Sequence, residues 1–363
     1  MRIYYAADPS PNPELRSTIW RKNLFEGLVQ LGHEVVESSI DWRPIFRHLD
    51  PANPAAAEFI REHRPKLSEL LQDEVRRLHR AQPIDLFFSY FYSACVLPEA
   101  LQQIRALGIV TVNWYCNASY QFQLVSEIAP HFDWCLVPEM DRLDHYREIG
   151  ARPIYCPEAA NAAVYKPMGL APKYDVTFIG QAYGERPVLA AFLIDRGIDL
   201  RLFGPRWQYY TRPAIPKNPL RWAAWVRNSR SGLPRAAVGG VLTDEEVVSV
   251  FNQTRVNLGF SACWNEGHPD QRILQVRLRD FEIPMCGAFY LVEYQAQLED
   301  LFVIGTEIEC YRDREELNDK IRFYLGREDL CLAIGHAARL RCLRDHTWAR
   351  RFSRVFEQIG LQR

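Results

Sequence analysis

The 363-residue sequence has no apolar run near the roughly 18–20 residues a membrane span needs, so no transmembrane segment is expected. Its nine cysteines are odd in number and form no C-x-x-C pair. That argues against a disulfide framework or a structural zinc site and for a reducing, cytoplasmic compartment. Charge of one sign is missing too: 44 basic against 45 acidic residues leave a formal charge of -1. Such a balance carries no footprint of a polyanion binder, and no nucleic-acid partner is expected. The opening residues hold few apolar side chains before Asp8 and Pro9, too few for a secretory leader. No G-x-G-x-x-G follows the first strand-like run, which disfavours a simple dinucleotide-dependent dehydrogenase. No solenoid repeat is present either. What is there is ordinary globular material, 48% hydrophobic and 25% charged, at a length that suits about two domains.

One junction recurs. An amphipathic stretch ends in glycine and a β-rich run follows, at Gly32, Gly108, Gly150 and Gly197. Glycine just past a helix takes the left-handed conformation cheaply, so each junction reads as helix to strand. Alternation at this spacing predicts parallel sheets built from βαβ units. Strands are expected at residues 2–6, 35–38, 86–90, 109–113 and 134–137 for one sheet. A second set is expected at residues 176–179, 200–203, 256–260, 289–292 and 307–310. The proline-rich stretch from Cys156 to Pro172 falls between them. The expected fold class is therefore α/β, two Rossmann-like doubly wound domains facing each other across a cleft. The division is residues 1–160, a linker at 161–172, residues 173–345, and a terminal helix at 346–363 that packs back on the first domain. Ligands of open parallel sheets bind beyond the carboxyl ends of the strands.

The most informative segment runs from Asp270 to Glu293. A helix is expected from about Ile273 to Ile283, ended by Pro284 and Gly287. Gln275, Arg279 and Glu282 would share one face of it, with Arg277 off that face. The N-terminus of such a helix favours an anion, and arginine forks two hydrogen bonds onto phosphate. A carboxylate further along would accept from a ribose diol. The plain alternative is that Arg279 and Glu282 form a surface i,i+3 pair.

The stretch from Arg279 to Tyr294 resembles the signature of CgeB-like (spore maturation protein type) glycosyltransferases, GT-B proteins related to the group 1 glycosyl transferases. Further agreement comes from Val256–Ser261, Thr306–Leu317, His346–Arg351, Val176–Gly180 with Glu185 and Arg186, and, in the N-terminal half, Ser89–Tyr92 and Val112–Trp114. The resemblance implies a GT-B, metal-independent transferase. It would move sugar from a nucleotide-diphosphate donor, held by the C-terminal domain, to an acceptor hydroxyl on the N-terminal domain. Glu282 falls at the second position of an E-x7-E pattern whose first position, 274, is leucine here. Arg277 and Arg279 stand where the family places basic residues by the diphosphate. Gly180 is where backbone approaches phosphate, with Arg186 a further cation. Gly240 opens a loop that holds the base, and Gln275 and Glu293 complete the donor set. No cofactor or metal is implied beyond the nucleotide sugar itself.

On the acceptor side, Asp8 ends the first strand and is a candidate general base, with Glu139 a second. Both also read as turn or helix-start residues. Asn113 and Asn117 flank Trp114 and Tyr115 where related proteins carry Asp, and Arg16, Trp20, Arg21 and Tyr92 are candidate acceptor contacts. His346 reads as a helix-start residue packed under Trp348. Residues 206–235 carry seven basic residues, no acidic ones and five Trp or Tyr. Such a segment suits carbohydrate stacking, an anionic acceptor or peripheral membrane contact, and equally a packed helical insertion. Two other functions fit the same residues: a nucleotide-sugar epimerase and a non-catalytic nucleotide-sugar-binding protein.

Overall fold

The computed structural model describes residues 1–7, 17–212, 232–263 and 272–361. Among them are two six-stranded parallel sheets. The first contains β1 (Arg2–Ala6), β2 (Glu34–Glu37), β3 (Leu86–Ser89), β4 (Val110–Trp114), β5 (Trp134–Val137) and β6 (Pro153–Tyr155). The second contains β7 (Tyr174–Ile179), β8 (Leu200–Phe203), β9 (Val238–Gly240), β10 (Thr254–Gly259), β11 (Tyr290–Glu293) and β12 (Glu309–Tyr311). Their orders are β2-β1-β3-β4-β5-β6 and β12-β11-β10-β7-β8-β9. Each order reverses once, between β1 and β3 in the first sheet and between β7 and β10 in the second.

The glycine junctions explain why the strands fall where they do. Gly32, Gly108, Gly150 and Gly197 have φ of 80°, 82°, 80° and 82°. Each donates its N–H to the carbonyl three residues back, on Val29, Arg105, Arg147 and Ile194, at 2.9 to 3.0 Å. The left-handed residue stops the helix and aims the chain back along the sheet. The ten expected strands are present with ends shifted by up to two residues. The strand set omitted β6 and β9, three-residue edge strands with little buried apolar sequence of their own. Also outside the expectations is the longest helix, Pro54–Ala81, started by Asn53, whose side chain accepts from the N–H of Ala55 and Ala56. It is anchored by Glu74, a buried carboxylate that accepts from the hydroxyls of Tyr4, Ser38 and Ser39 and from the Ser39 N–H.

By contact the chain divides into two units. Thr18–Asn161 and the opening strand belong to the first, together with the chain from Asp345 onward; Ala162–Arg344 belong to the second. In the first unit the helix Trp348–Gln358 lies on the helix Glu26–Gln30 so closely that a Cβ at Gly27 would sit 2.7 Å from Trp348 Cβ. In the second, a core cluster lies on one face of β7, β8, β10 and β11, around Phe178, Leu202, Trp207, Leu258 and Leu291.

Two glycines separate backbone strain from crowding. A Cβ on Gly197 would meet nothing within 4 Å, so Gly197→Ala should cost about 1 kcal/mol, the left-handed penalty alone. At Gly204, with φ of 127°, a Cβ would strike the Gly180 carbonyl, so Gly204→Ala should cost well over about 2 kcal/mol. Urea unfolding of the two variants measures the difference; equal costs would contradict this packing.

Candidate functional site

The reversal point of the second sheet is where polar groups converge. The turn after β7 and the turn after β8 are laced together. The Gly180 N–H donates to the Phe203 carbonyl at 2.9 Å, the Ala182 N–H to Pro205 at 3.0 Å, and the Gly204 N–H to Gly240 at 2.7 Å. Trp207, fully buried, donates its indole N–H to the Gly180 carbonyl at 2.7 Å. Both backbone groups of Gly180 are thus occupied. Gly180 also packs closely on the neighbouring turn, where a Cβ at Gly204 would strike its carbonyl. Arg206 follows in a left-handed conformation, φ 70°, and its guanidinium donates to the Gln181 carboxamide oxygen at 3.0 and 3.1 Å.

Arg186 spans the reversal point. It is the first residue of the helix Arg186–Asp195 and is 6% exposed. Its guanidinium donates to the Gln181 carbonyl beyond β7 at 2.9 Å and to the Phe260 carbonyl beyond β10 at 3.1 Å. It lies 3.9 Å over the Tyr183 ring. Among the described residues it meets no carboxylate, and its Nε has no partner. Burial lowers its pKa to about 10, which leaves it cationic at neutral pH. A buried cation with only dipolar partners is costly, and the arrangement favours an anion.

The loop after β10 carries the next group. Its backbone pairs with the segment before Arg277: Cys263 N–H donates to Ile273 O at 2.8 Å and Gln275 N–H to Ser261 O at 3.1 Å. This pairing overturns the helix expected from residue 273. Residues 273–275 are held extended against the loop, and the helix runs only over Arg279–Met285. Asp280 Oδ2 accepts from the Arg277 N–H at 2.8 Å, just ahead of the helix. Gln275, Arg279 and Glu282 therefore do not share a helical face, and a helix this short offers no N-terminal anion site of the kind expected.

The loop's other anchor is Glu293, at the end of β11. Its Oε2 accepts from the N–H of Ser261 at 3.1 Å and of Ala262 at 3.3 Å, and its Oε1 pairs with Arg272. Arg272 also pairs with Glu185 at 3.1 Å. Glu293 thus holds the loop rather than offering a free carboxylate to a ligand. Arg277 donates to the Ala262 carbonyl and the Cys263 sulfur, both at 3.1 Å. Gln275, also buried, accepts from the Cys263 thiol at 3.2 Å.

Arg279 and Glu282 pair with each other, and Arg279 lies over the Phe251 ring at 5.4 Å. Burial lowers the Arg279 pKa, but Glu282 and Tyr165 more than restore it, for a net rise. The pair is not a surface one, because Glu282 is 0% exposed, with Oε1 lacking a partner. Gly240, φ 88°, ends β9 and leads to the helix Asp244–Asn252. Thr243 and Glu246 cap that helix reciprocally: the Thr243 N–H donates to Glu246 Oε2 at 2.8 Å and the Glu246 N–H to Thr243 Oγ1 at 3.3 Å. Tyr183, Arg272, Asp280 and Tyr290 were not singled out in the sequence. They join segments up to 87 positions apart, and no local pattern marks them.

Asp8 and Arg16 lie outside the described residues, as does most of the basic aromatic insert. Trp20 meets Tyr90 and Trp114 with ring centroids 5.3 and 4.9 Å away. The Tyr92 hydroxyl is 3.1 Å from that of Tyr90. Asn113 is locked: its Oδ1 accepts from Ser89 and from the Phe91 N–H, each at 2.8 Å, and its Nδ2 donates to Phe91 O. It shapes the turn after β3 and is no free acceptor contact. Asn117 accepts from the Tyr120 hydroxyl at 2.9 Å. Glu139 follows β5 and is buried, not a solvated helix start. Arg21 pairs with Glu37 at 3.3 Å. His346 Nδ1 accepts from Arg351 at 2.7 Å, a structural position. Among the described residues no group of His, Cys, Asp or Glu is arranged to hold a metal ion, and no helix is long and apolar enough to cross a membrane.

Residues 186–357 match a family model described as glycosyl transferase-like. No curated protein matches the sequence. Solved structures match across the chain. Sucrose-phosphate synthase from Thermosynechococcus elongatus gives a TM-score of 0.61 at 13% identity, covering 99% of both chains. Anabaena HepE, in a complex with UDP-glucose, gives 0.61 at 11% identity over 100% of both. AviGT4, a glycosyltransferase involved in avilamycin A biosynthesis, gives 0.58 at 16% identity over 98% of this chain and 96% of that one. The chain has the GT-B fold. The stretch matched by the family carries Arg186, Arg277, Arg279, Glu282 and Glu293.

Asp280 supplies a pH test. Burial raises its carboxyl to about 6, against donors from Tyr290 at 2.6 Å and the Arg277 N–H. An acid raised on folding stabilises the fold fully below its unfolded pKa near 4 and loses that contribution as pH rises through about 6. Asp280→Asn should therefore gain on the parent by roughly 3 kcal/mol between pH 4 and 7 in urea unfolding. A constant difference across that range would refute the burial of an ionising Asp280.

Proposed function

We propose that this protein is a glycosyltransferase that moves a sugar from a nucleoside-diphosphate donor to a hydroxyl of a carbohydrate-type acceptor, on a glycan, lipid-linked glycan, small molecule or protein. The observation that carries it is Arg186, a buried guanidinium that meets no carboxylate among the described residues, seated at the reversal point of the second sheet. Ligands of this architecture bind there. The glycosyl transferase-like match over residues 186–357 and the GT-B fold support the same reading.

In this reading the second unit holds the donor. Arg186, Arg277 and Arg279 meet the negative charge that grows on the leaving diphosphate, the role a metal ion plays elsewhere, so the reading requires none. Glu282, with one oxygen already on Arg279, offers the other to the ribose diol. The loop from Gly240 holds the base through backbone groups. The first unit holds the acceptor near Trp20, Tyr92 and Asn117. Asp8 and Glu139 are the candidate bases; a retaining enzyme would need neither. The CgeB-like affiliation and a cytoplasmic location belong to the same proposal. No observation favours the epimerase or the non-catalytic reading.

Thermal denaturation with UDP, GDP, TDP, CMP and ADP tests the donor. A ligand at 100 times its dissociation constant adds about 2.7 kcal/mol to stability. One nucleotide should shift the transition clearly, and no shift with any of the five would sink the proposal. Against the nucleotide that binds, Arg186→Gln, Arg279→Ala and Glu282→Gln should each weaken affinity more than about tenfold, or ~1.4 kcal/mol, by calorimetric titration. Unchanged affinity in all three would remove the assigned donor site.

A further inference from the structure

Eight of the nine cysteines are buried, and Cys263 is the exception. Burial pushes the thiols of Cys156 and Cys310 up to about 12 and that of Cys331 up to about 11, so these are inert at neutral pH. Cys263 sits differently. Arg277 Nη2 is 3.1 Å from its sulfur, and its thiol donates to Gln275 Oε1 at 3.2 Å. Exposure and an adjacent guanidinium are the two conditions that make a thiol reactive.

A second, independent group points to an anion at the same place. Arg186 is 94% buried by its 6% exposure, lacks a carboxylate among the described residues, and has an unpartnered Nε. It stacks on Tyr183, whose hydroxyl donates to the Ala262 carbonyl at 3.4 Å, and that same carbonyl accepts from Arg277. Arg277 therefore contacts one partly exposed thiol, and Arg186 is tied through the Phe260 carbonyl and Tyr183 to the loop that carries it; the proposed function assigns both guanidiniums to the diphosphate.

We propose that Cys263 is a modification site, taking a mixed disulfide from an anionic low-molecular-weight disulfide such as oxidised glutathione, and that this adduct closes the donor site. The Cys263 thiolate attacks one sulfur of the disulfide. A new S–S bond forms to Cys263, the old S–S bond breaks, and one glutathione leaves as a thiolate that takes a proton from water. The carboxylates of the retained glutathione meet Arg186 and Arg277, which draws the reagent to this cysteine and places its bulk where a diphosphate would bind. The closure half of the proposal rests on the donor-site reading; the reactivity half does not.

The test uses the full chain. Limiting iodoacetamide followed by peptide mass mapping should alkylate Cys263 at least about tenfold faster than any other cysteine. Inorganic pyrophosphate should slow that reaction, and Arg277→Gln should slow it at least about fivefold. Oxidised glutathione should add once, at Cys263, and lower nucleotide affinity more than about tenfold until dithiothreitol restores it; Cys263→Ser should form no adduct. Cys263 reacting no faster than its buried counterparts, or at a rate indifferent to Arg277→Gln, overturns the site. A fully modified protein with undiminished nucleotide affinity overturns the closure. If untreated protein binds no nucleotide, the donor-site reading fails, while the alkylation rates still decide the reactivity of Cys263.

Discussion

The second unit is organised around one guanidinium. Arg186 ties the turn after β7 to the strand end of β10 through two carbonyls, across the point where the strand order reverses. The usual route to a stable buried cation is a carboxylate, and none is present among the described residues. The structure instead surrounds the charge with carbonyl dipoles and the face of Tyr183. That arrangement holds the two loops at a fixed separation. The available acids are engaged nearby. Glu293 clamps the loop from Ser261 and pairs with Arg272, Glu185 joins Arg272, and Asp280 receives Tyr290 and the Arg277 N–H. Carboxylates shape the corner while arginines supply its charge.

The close-packed glycines serve the same corner. Gly180 and Gly204 let two turns touch backbone to backbone. A Cβ at Gly259 would meet the Tyr290 hydroxyl that bonds Asp280. Gly335 lies against the Gly287 carbonyl, bringing the helix Glu328–Asp345 onto the end of the helix Arg279–Met285. Interiors are packed densely enough that one methyl at such a contact is felt. Precision at the polar groups is thus maintained by backbone contacts beneath them.

The first unit uses a contrasting chemistry. Beyond β3 and β4 it gathers Trp20, Tyr90, Tyr92, Trp114 and Tyr115 into one set of tilted and edge-on rings. Burial pushes the Tyr90, Tyr92 and Tyr115 phenols up, so they remain neutral hydrogen-bonding groups. The first unit thus gathers mostly buried, uncharged aromatic rings where the second gathers arginines.

The sequence by itself determined the βαβ alternation, because a left-handed glycine ending a helix is a local event that needs no partner. The four junctions carry that information within a few residues, and the two parallel sheets follow from it. It also marked Arg186, Arg277, Arg279 and Glu282 as the residues to watch, by type and by resemblance. Only the tertiary structure decided what those residues do. Periodicity over 273–283 suits a helix, yet pairing with the loop after β10 holds 273–275 extended, and that pairing spans about a dozen positions of chain. Glu293 has the composition of a ligand contact and is occupied by two backbone N–H groups from another strand end. Asn113 looked available and is locked by the turn after β3. In each case a hydrogen bond between segments remote in sequence outweighed the local preference, and such bonds leave no trace in the order of residues.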